Sequence, residues 1–260
     1  CVVERYARFG IRTHYMGNLK ILGCTVRDNT GIGIRVGKIG EAEIRDCEII
    51  GNGHTGIQAG WEDDIARQSR ILGANNGMRE NGIDLVGAVP ALLRRPIAEE
   101  TSQSLIRVPD DCSDLQTAID RVCRGGTIVL TAPIETCGVT IWKPVSIRSE
   151  GNEPVLLSSG TGHSCVLSVV GGVEGVRVEK LDIVGAKVEG FGWLDRDPVV
   201  AIYGKAMLVD VSVKGLENPV IGVGIGHQGD AELLHCRIEG FLSGIHLIGQ
   251  CHGLVRDCEI

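Results

Sequence analysis

The sequence predicts an all-β fold, a parallel β-helix solenoid of stacked coils with a repeat of about 22–25 residues. Three observations predict it. The segment Arg45-Asp46-Cys47-Glu48-Ile49 recurs unchanged as Arg256-Asp257-Cys258-Glu259-Ile260. A column of smallish residues, Cys24, Cys47, Ser69, then Leu181, Val211, Cys236 and Cys258, stands two positions before Val26, Ile49, Ile71, Ile183, Val213, Ile238 and Ile260. A second strand signature trails the column at Gly31-Ile32-Gly33-Ile34, Gly56-Ile57, Gly82-Ile83 and Gly244-Ile245. Alternation with period two inside each repeat means strands. The composition agrees. There are 37 Gly in 260 residues and only three each of Trp, Tyr and Phe, as short strands joined by tight turns require.

Residues 1–87 read as the first set of coils. Each repeat is too short for a strand–helix–strand unit of ~30 residues. The Leu and Asn frame of a leucine-rich repeat is missing. Coils stacked at ~4.8 Å place equivalent residues above one another. Cys24 and Cys47, with Cys236 and Cys258 later in the chain, then form an inward structural ladder. Asn29, Asn52 and Asn75, each 23 residues apart, form a turn column, because Asn tolerates left-handed backbone and its amide reaches the next coil. Glycines are expected at the sharp corners. The pattern breaks at 88–104, where two prolines and mixed charge mark a linker or excursion. Residues 105–260 start again as a second β-helix. A strand is expected at 105–109. Ser113-Asp114-Leu115-Gln116 has the form of a capping box. Leu115, Ala118, Ile119 and Val122 follow at helical spacing, giving one short capping helix near 113–123 that ends before Gly125-Gly126. Strands are expected at 127–130, 140–141, 145–147 and 155–157. The first set begins inside a coil and the second stops inside a strand, so both read as truncated pieces of a longer β-helix protein.

Several stretches carry a resemblance. Asp114-Leu115-Gln116-Thr117-Ala118-Ile119-Asp120, Gly125-Gly126-Thr127-Ile128-Val129-Leu130 and Trp142-Lys143-Pro144-Val145-Ser146-Ile147-Arg148 resemble the opening coil of pectin-lyase-like right-handed parallel β-helix proteins. Later coils such as Gly40-Glu41-Ala42-Glu43-Ile44-Arg45-Asp46-Cys47-Glu48-Ile49 are similar to CASH-type repeats, above all those of β-helical F-box substrate-recognition proteins. The resemblance implies a right-handed coil. It allows lyases, hydrolases, epimerases, esterases, adhesins and non-enzymatic scaffolds. The chain departs from the pattern at Ala132-Pro133-Ile134-Glu135-Thr136-Cys137, where a Gly-x-Tyr step is common. The residue sets of polygalacturonases, alginate epimerases and pectin esterases are absent from this sequence, as is an F-box segment.

Two loops carry the candidate chemistry. Trp61-Glu62-Asp63-Asp64 sets three acids beside an aromatic, a pattern that suits a cation or a sugar, or equally a solvated turn. Residues 188–198 lengthen one coil and bring Phe191, Trp193, Asp195, Arg196 and Asp197 together, as expected of a binding loop on a repeat scaffold. Were the chain a lyase or hydrolase, Asp63, Asp64, Asp195 and Asp197 would be the catalytic acids. His227, His235, Cys236, His246, Cys251, His252 and Cys258 crowd the last third without a metal-ligand spacing. Alternation places Cys236 inward and His235 outward, so no metal is expected. Gly31-Ile32-Gly33 and Gly222-Val223-Gly224-Ile225-Gly226 open no helix and therefore cradle no phosphate.

A net charge of −7 argues against nucleic acid, and Arg94-Arg95 is too short a basic patch. No apolar run reaches the ~18 residues of a membrane span. Unpaired Cys in apolar slots suit a reduced, intracellular compartment, cytoplasmic or nuclear. The expected function is a non-enzymatic scaffold that binds a protein partner, as in substrate recognition. The alternative is an extracellular enzyme acting on acidic polysaccharide. A surface adhesin fits ten cysteines poorly. No cofactor is expected, and Ca²⁺ enters only under the lyase alternative.

Overall fold

The computed structural model describes residues 1–13, 18–37, 41–59, 70–87, 103–136, 138–159, 165–186, 198–216, 221–226 and 228–260. They belong to two units, Cys1–Pro96 and Ile97–Ile260.

In the first unit β1 (Val2–Glu4), β2 (Phe9–Arg12) and β3 (Asn18–Leu22) make one coil. β4 (Thr25–Arg27), β5 (Ile32–Val36) and β6 (Glu41–Arg45) make the second. β7 (Glu48–Ile50), β8 (Thr55–Ala59) and β9 (Arg70–Ala74) make the third, and β10 (Gly77–Arg79) and β11 (Ile83–Gly87) begin a fourth. Each strand pairs in parallel with its counterpart one coil away. This gives sheet A (β1-β4-β7-β10), sheet B (β2-β5-β8-β11) and sheet C (β3-β6-β9). The interior column of sheet A runs Val3, Val26, Ile49, Met78. The last rung differs from the expected one. Ile71 pairs with Ala42 in sheet C, and Met78 takes the place below Ile49, because residues 60–69 lengthen the third coil. Ser69 lies outside the described residues.

Two amide ladders tie these coils together. The Asn52 Oδ1 accepts from the Asn29 backbone N–H at 3.3 Å and its Nδ2 at 2.8 Å. The Asn52 Nδ2 donates in turn to Asn81 Oδ1 at 2.8 Å and Val26 O at 3.2 Å. The third rung is therefore Asn81, not Asn75. Asn75 sits exposed at another corner and donates to Asp46 Oδ1 at 2.6 Å. In the second ladder the Cys47 N–H donates to Asn76 Oδ1 at 3.0 Å, so Asn76 succeeds Cys24 and Cys47 in their column.

The corners also differ from expectation. Left-handed backbone falls on Asp, Asn and Glu corners as well as on glycines. Asp46 (φ 54°) and Asn75 (φ 60°) stack on Gly23 (φ 57°), while Asp28 (φ 53°), Gly51 (φ 61°) and Glu80 (φ 58°) make a second column. Gly33 serves close approach instead. A Cβ there would lie 2.8 Å from both the Asn52 Nδ2 and the Gly56 carbonyl.

The second unit opens with β12 (Leu105–Val108), α1 (Leu115–Arg121), β13 (Gly126–Leu130), β14 (Ile134–Thr136) and β15 (Val139–Ile141). Four further coils follow. They are β16 (Val145–Ser149), β17 (Val155–Ser159) and β18 (Leu167–Val169), then β19 (Val176–Glu179), β20 (Leu181–Ala186) and β21 (Val200–Ile202). The next are β22 (Lys205–Val209), β23 (Ser212–Leu216) and β24 (Ile221–Ile225), then β25 (Asp230–Leu234), β26 (Arg237–Glu239) and β27 (Ser243–Leu247), with β28 (His252–Arg256) last. Sheet D is β12-β13-β16-β19-β22-β25-β28, sheet E is β14-β17-β20-β23-β26 and sheet F is β15-β18-β21-β24-β27. Buried columns Ile106, Ile128, Ile147, Val178, Leu208, Leu233 in sheet D and Leu157, Ile183, Val213, Ile238 in sheet E fill the interior. Each such side chain contributes roughly 1.5–3 kcal/mol of apolar burial.

Helix α1 is capped differently from the capping-box expectation. Its N-cap is Asp114, whose carboxylate accepts from the Thr117 N–H at 2.8 Å. Gln116 does not turn back to the cap. Its Oε1 accepts from the Thr140 N–H at 2.8 Å and its Nε2 donates to the Thr140 carbonyl at 3.2 Å. At the other end the backbone turns extended at Val122, before Gly125. The buried Lys143 ammonium donates to the Asp120 and Val122 carbonyls.

Candidate functional site

Outward positions of both units carry charge ladders. Arg27 meets Glu4 at 2.7 Å, Lys20 meets Glu43 at 3.1 Å, Lys205 meets Asp230 at 3.2 Å, and Arg237 meets Glu259 at 3.4 Å. Each of these pairs joins adjacent coils. The Lys20 ammonium and the Arg45 guanidinium hold the Glu43 carboxyl below its ordinary pKa. Asp230 holds the Lys205 ammonium above its own.

A recess interrupts this surface on sheet D. It encloses about 260 Å³. Ser146, Arg177, Met207 and Glu232 form its long axis, one residue from each of four successive coils in register. Lys205 stands on one edge beside Gly175. The Arg177 guanidinium donates to Glu179 Oε1 at 2.5 Å and rests on Met207 Sδ at 2.9 Å. These residues were not singled out in the sequence. Their spacings of 31, 30 and 25 residues hide the row. The signal that finds it is the corner column Lys180, Asp210, His235 (φ 53°, 53°, 52°), which restores the frame after every irregular connection.

The residues expected to form a site, Trp61, Glu62, Asp63, Asp64, Phe191, Trp193, Asp195, Arg196 and Asp197, lie outside the described residues. Their anchors are described. Residues 60–69 join β8 of sheet B to β9 of sheet C, whereas 187–197 join β20 of sheet E to β21 of sheet F. His227 also lies outside. His235 is exposed, with Nδ1 3.3 Å from Asp210 Oδ1 and Nε2 3.8 Å from Asp257 Oδ2. Its two nitrogens face opposite coils, so these three side chains cannot converge on one ion. No cluster of three or more His, Cys, Asp or Glu suited to a metal occurs among the described residues.

The cysteines of the ladder follow one rule. The thiol donates to the carbonyl two residues back, from Cys24 to Leu22 (3.2 Å), Cys47 to Arg45 (3.1 Å), Cys236 to Leu234 (3.4 Å) and Cys258 to Arg256 (3.2 Å). The residue between is the left-handed corner. Burial pushes the Cys47 thiol up, and the Cys236 thiol up to about 11, which leaves both as protonated small hydrophobes rather than nucleophiles.

A family model described as a right-handed beta helix region matches residues 1–83. The match covers the coils of the first unit. Parallel stacking of the same kind continues in the second. No curated protein and no solved structure matches the chain. No helix among the described residues is long and apolar enough to cross a membrane.

Proposed function

We propose that the chain is a non-enzymatic β-helix recognition scaffold that binds a protein partner through its outer faces. One observation carries this reading. Among the described residues, the outward carboxylates of Glu4, Glu43, Asp230 and Glu259 pair with a cation on the neighbouring coil, and the Glu43 carboxyl is shifted downward. Glycoside hydrolysis needs the opposite arrangement, two facing carboxyl groups with one raised to act as an acid. The resemblance of the repeats to pectin-lyase-like and CASH-type β-helices, and to F-box substrate-recognition proteins in particular, supports a substrate-recognition role. Protonated interior thiols suit a reducing, intracellular compartment.

The test is incubation of the purified protein with polygalacturonate, alginate and chondroitin, with and without Ca²⁺. The expected outcome is no release of reducing or unsaturated ends. Turnover that disappears in Asp63→Ala or Asp195→Ala would sink the scaffold reading and make the chain a polysaccharide-active enzyme.

A further inference from the structure

We propose that the recess on sheet D binds a polyproline-II segment of a partner protein that carries an acidic residue at one position and a basic residue three positions on. The proposal rests on the recognition reading above and names the partner's chemistry.

The argument starts from direction. The long axis of the recess crosses the strands, because Ser146, Arg177, Met207 and Glu232 are register partners on successive coils. An occupant lying along that axis cannot join the sheet as a strand. The backbone groups of sheet D already pair coil to coil, so recognition falls to side chains. A polyproline-II segment has no internal hydrogen bonds to lose and is already extended.

Spacing selects the same conformation. Arg177 and Glu232 stand two coils apart, which is about 9.6 Å at the usual strand separation. A polyproline-II chain repeats every three residues and presents residues i and i+3 on one side about 9.3 Å apart. A β-strand presents i and i+2 at about 6.7 Å and i and i+4 at about 13 Å, and neither matches.

Charge sets the order. Arg177 lies on β19 and Glu232 two coils away on β25, with Lys205 beside the row on β22, the coil of Met207. Arg177 and Lys205 pair with Glu179 and Asp230, yet keep 44% and 55% of their side-chain surface open. A partner carboxylate reaches both. A partner cation three residues on reaches Glu232. Met207 lies between them as an unbranched thioether floor, which takes the apolar face of the intervening residues.

The probe is a fluorescein-labelled Gly-Glu-Pro-Pro-Lys-Gly amide, titrated by anisotropy up to about 1 mM, the weak end of specific binding. Saturable binding is expected. It should weaken about tenfold when the spacer is shortened to one proline or lengthened to three, the loss of one good contact. A similar loss is expected with Glu and Lys replaced by Gln in the peptide, and in Glu232→Gln or Lys205→Gln protein with an unchanged circular-dichroism spectrum. No saturation, equal binding of all spacers, or indifference to Glu232→Gln would each overturn the proposal. Failure here with the glycan screen silent leaves the recognition reading in place on another surface. Glycan turnover removes that reading whatever the peptide does.

Discussion

Asn52 is where this fold is most sensitive to a single side chain. It is fully buried and its amide bonds both neighbouring coils. Asn52→Ala strands the Val26 carbonyl and leaves the Asn29 amide and backbone N–H without their acceptor, and should cost roughly 3 kcal/mol in urea unfolding, since each unmet buried group costs about 1–3 kcal/mol. Asn75→Ala, at an exposed corner, should stay within about 0.5 kcal/mol. Equal effects at the two positions would contradict the ladder described here. Gln58 predicts the reverse sign. It is 1% exposed, and among the described residues neither its Oε1 nor its Nε2 has a hydrogen-bond partner. Gln58→Leu should therefore raise stability by about 1–2 kcal/mol, read as a higher urea midpoint. The sequence showed that an Asn column exists, because Asn29 and Asn52 share the regular period. It did not show that Asn81 completes the column, since Asn75 keeps the 23-residue step while the chain does not. The recess was illegible for the same reason: its rows become aligned only through pairing.

Helix α1 shows how an element of a few residues closes an open stack. Its core face is Leu115, Ala118 and Ile119, all buried, as their spacing predicted. What the spacing did not reveal is that Gln116 acts as a substitute peptide group for the edge strand β15. Its side chain offers an acceptor and a donor side by side, which is what the Thr140 N–H and carbonyl require. Gln116→Ala should cost about 1–2 kcal/mol and speed hydrogen exchange at the Thr140 amide. Gln116→Glu keeps the acceptor and loses the donor, so exchange at Thr140 should stay slow while stability still falls. Exchange that stays slow in both variants would show that the helix, not this side chain, protects the edge. Lys143 was visible in the sequence only as part of a Trp-Lys-Pro-Val string. Its role at the carbonyl end of α1 depends on a contact across more than twenty residues, which local propensity does not encode.

At the level of the whole chain, pH is the lever that reads the charge ladders and the interior together. Glu43 is shifted below its ordinary value of 4.5. Its pairing therefore stabilises the fold above that pH and is lost as pH falls through the lower, folded value. Cys236 is raised from 9.0 to about 11. Its protonated form stabilises the fold below pH 9, and that contribution is lost as pH rises toward 11. The urea midpoint should be level between these limits and fall on both sides. Cys236→Ala should flatten the alkaline slope between pH 9 and 11, whatever it does to the plateau. An unchanged slope would mean that other groups govern the alkaline side. The parallel β-helix itself was legible because repetition places the same residue types at the same corner many times. What lies on its outer surface was not, because outward positions answer to neighbours one coil away rather than to neighbours in sequence.

The corner columns hold their backbone shape through coils of very different length. Twenty-three residues separate Val26 from Ile49 and twenty-nine separate Ile49 from Met78, yet the rungs meet in register. The stack thus behaves as a chassis with standard mounting points. The connections from β8 to β9 and from β20 to β21 lie away from those points, so their length can vary without resetting the frame. Swapping one such segment for another changes what the chain displays while leaving what it is built on intact.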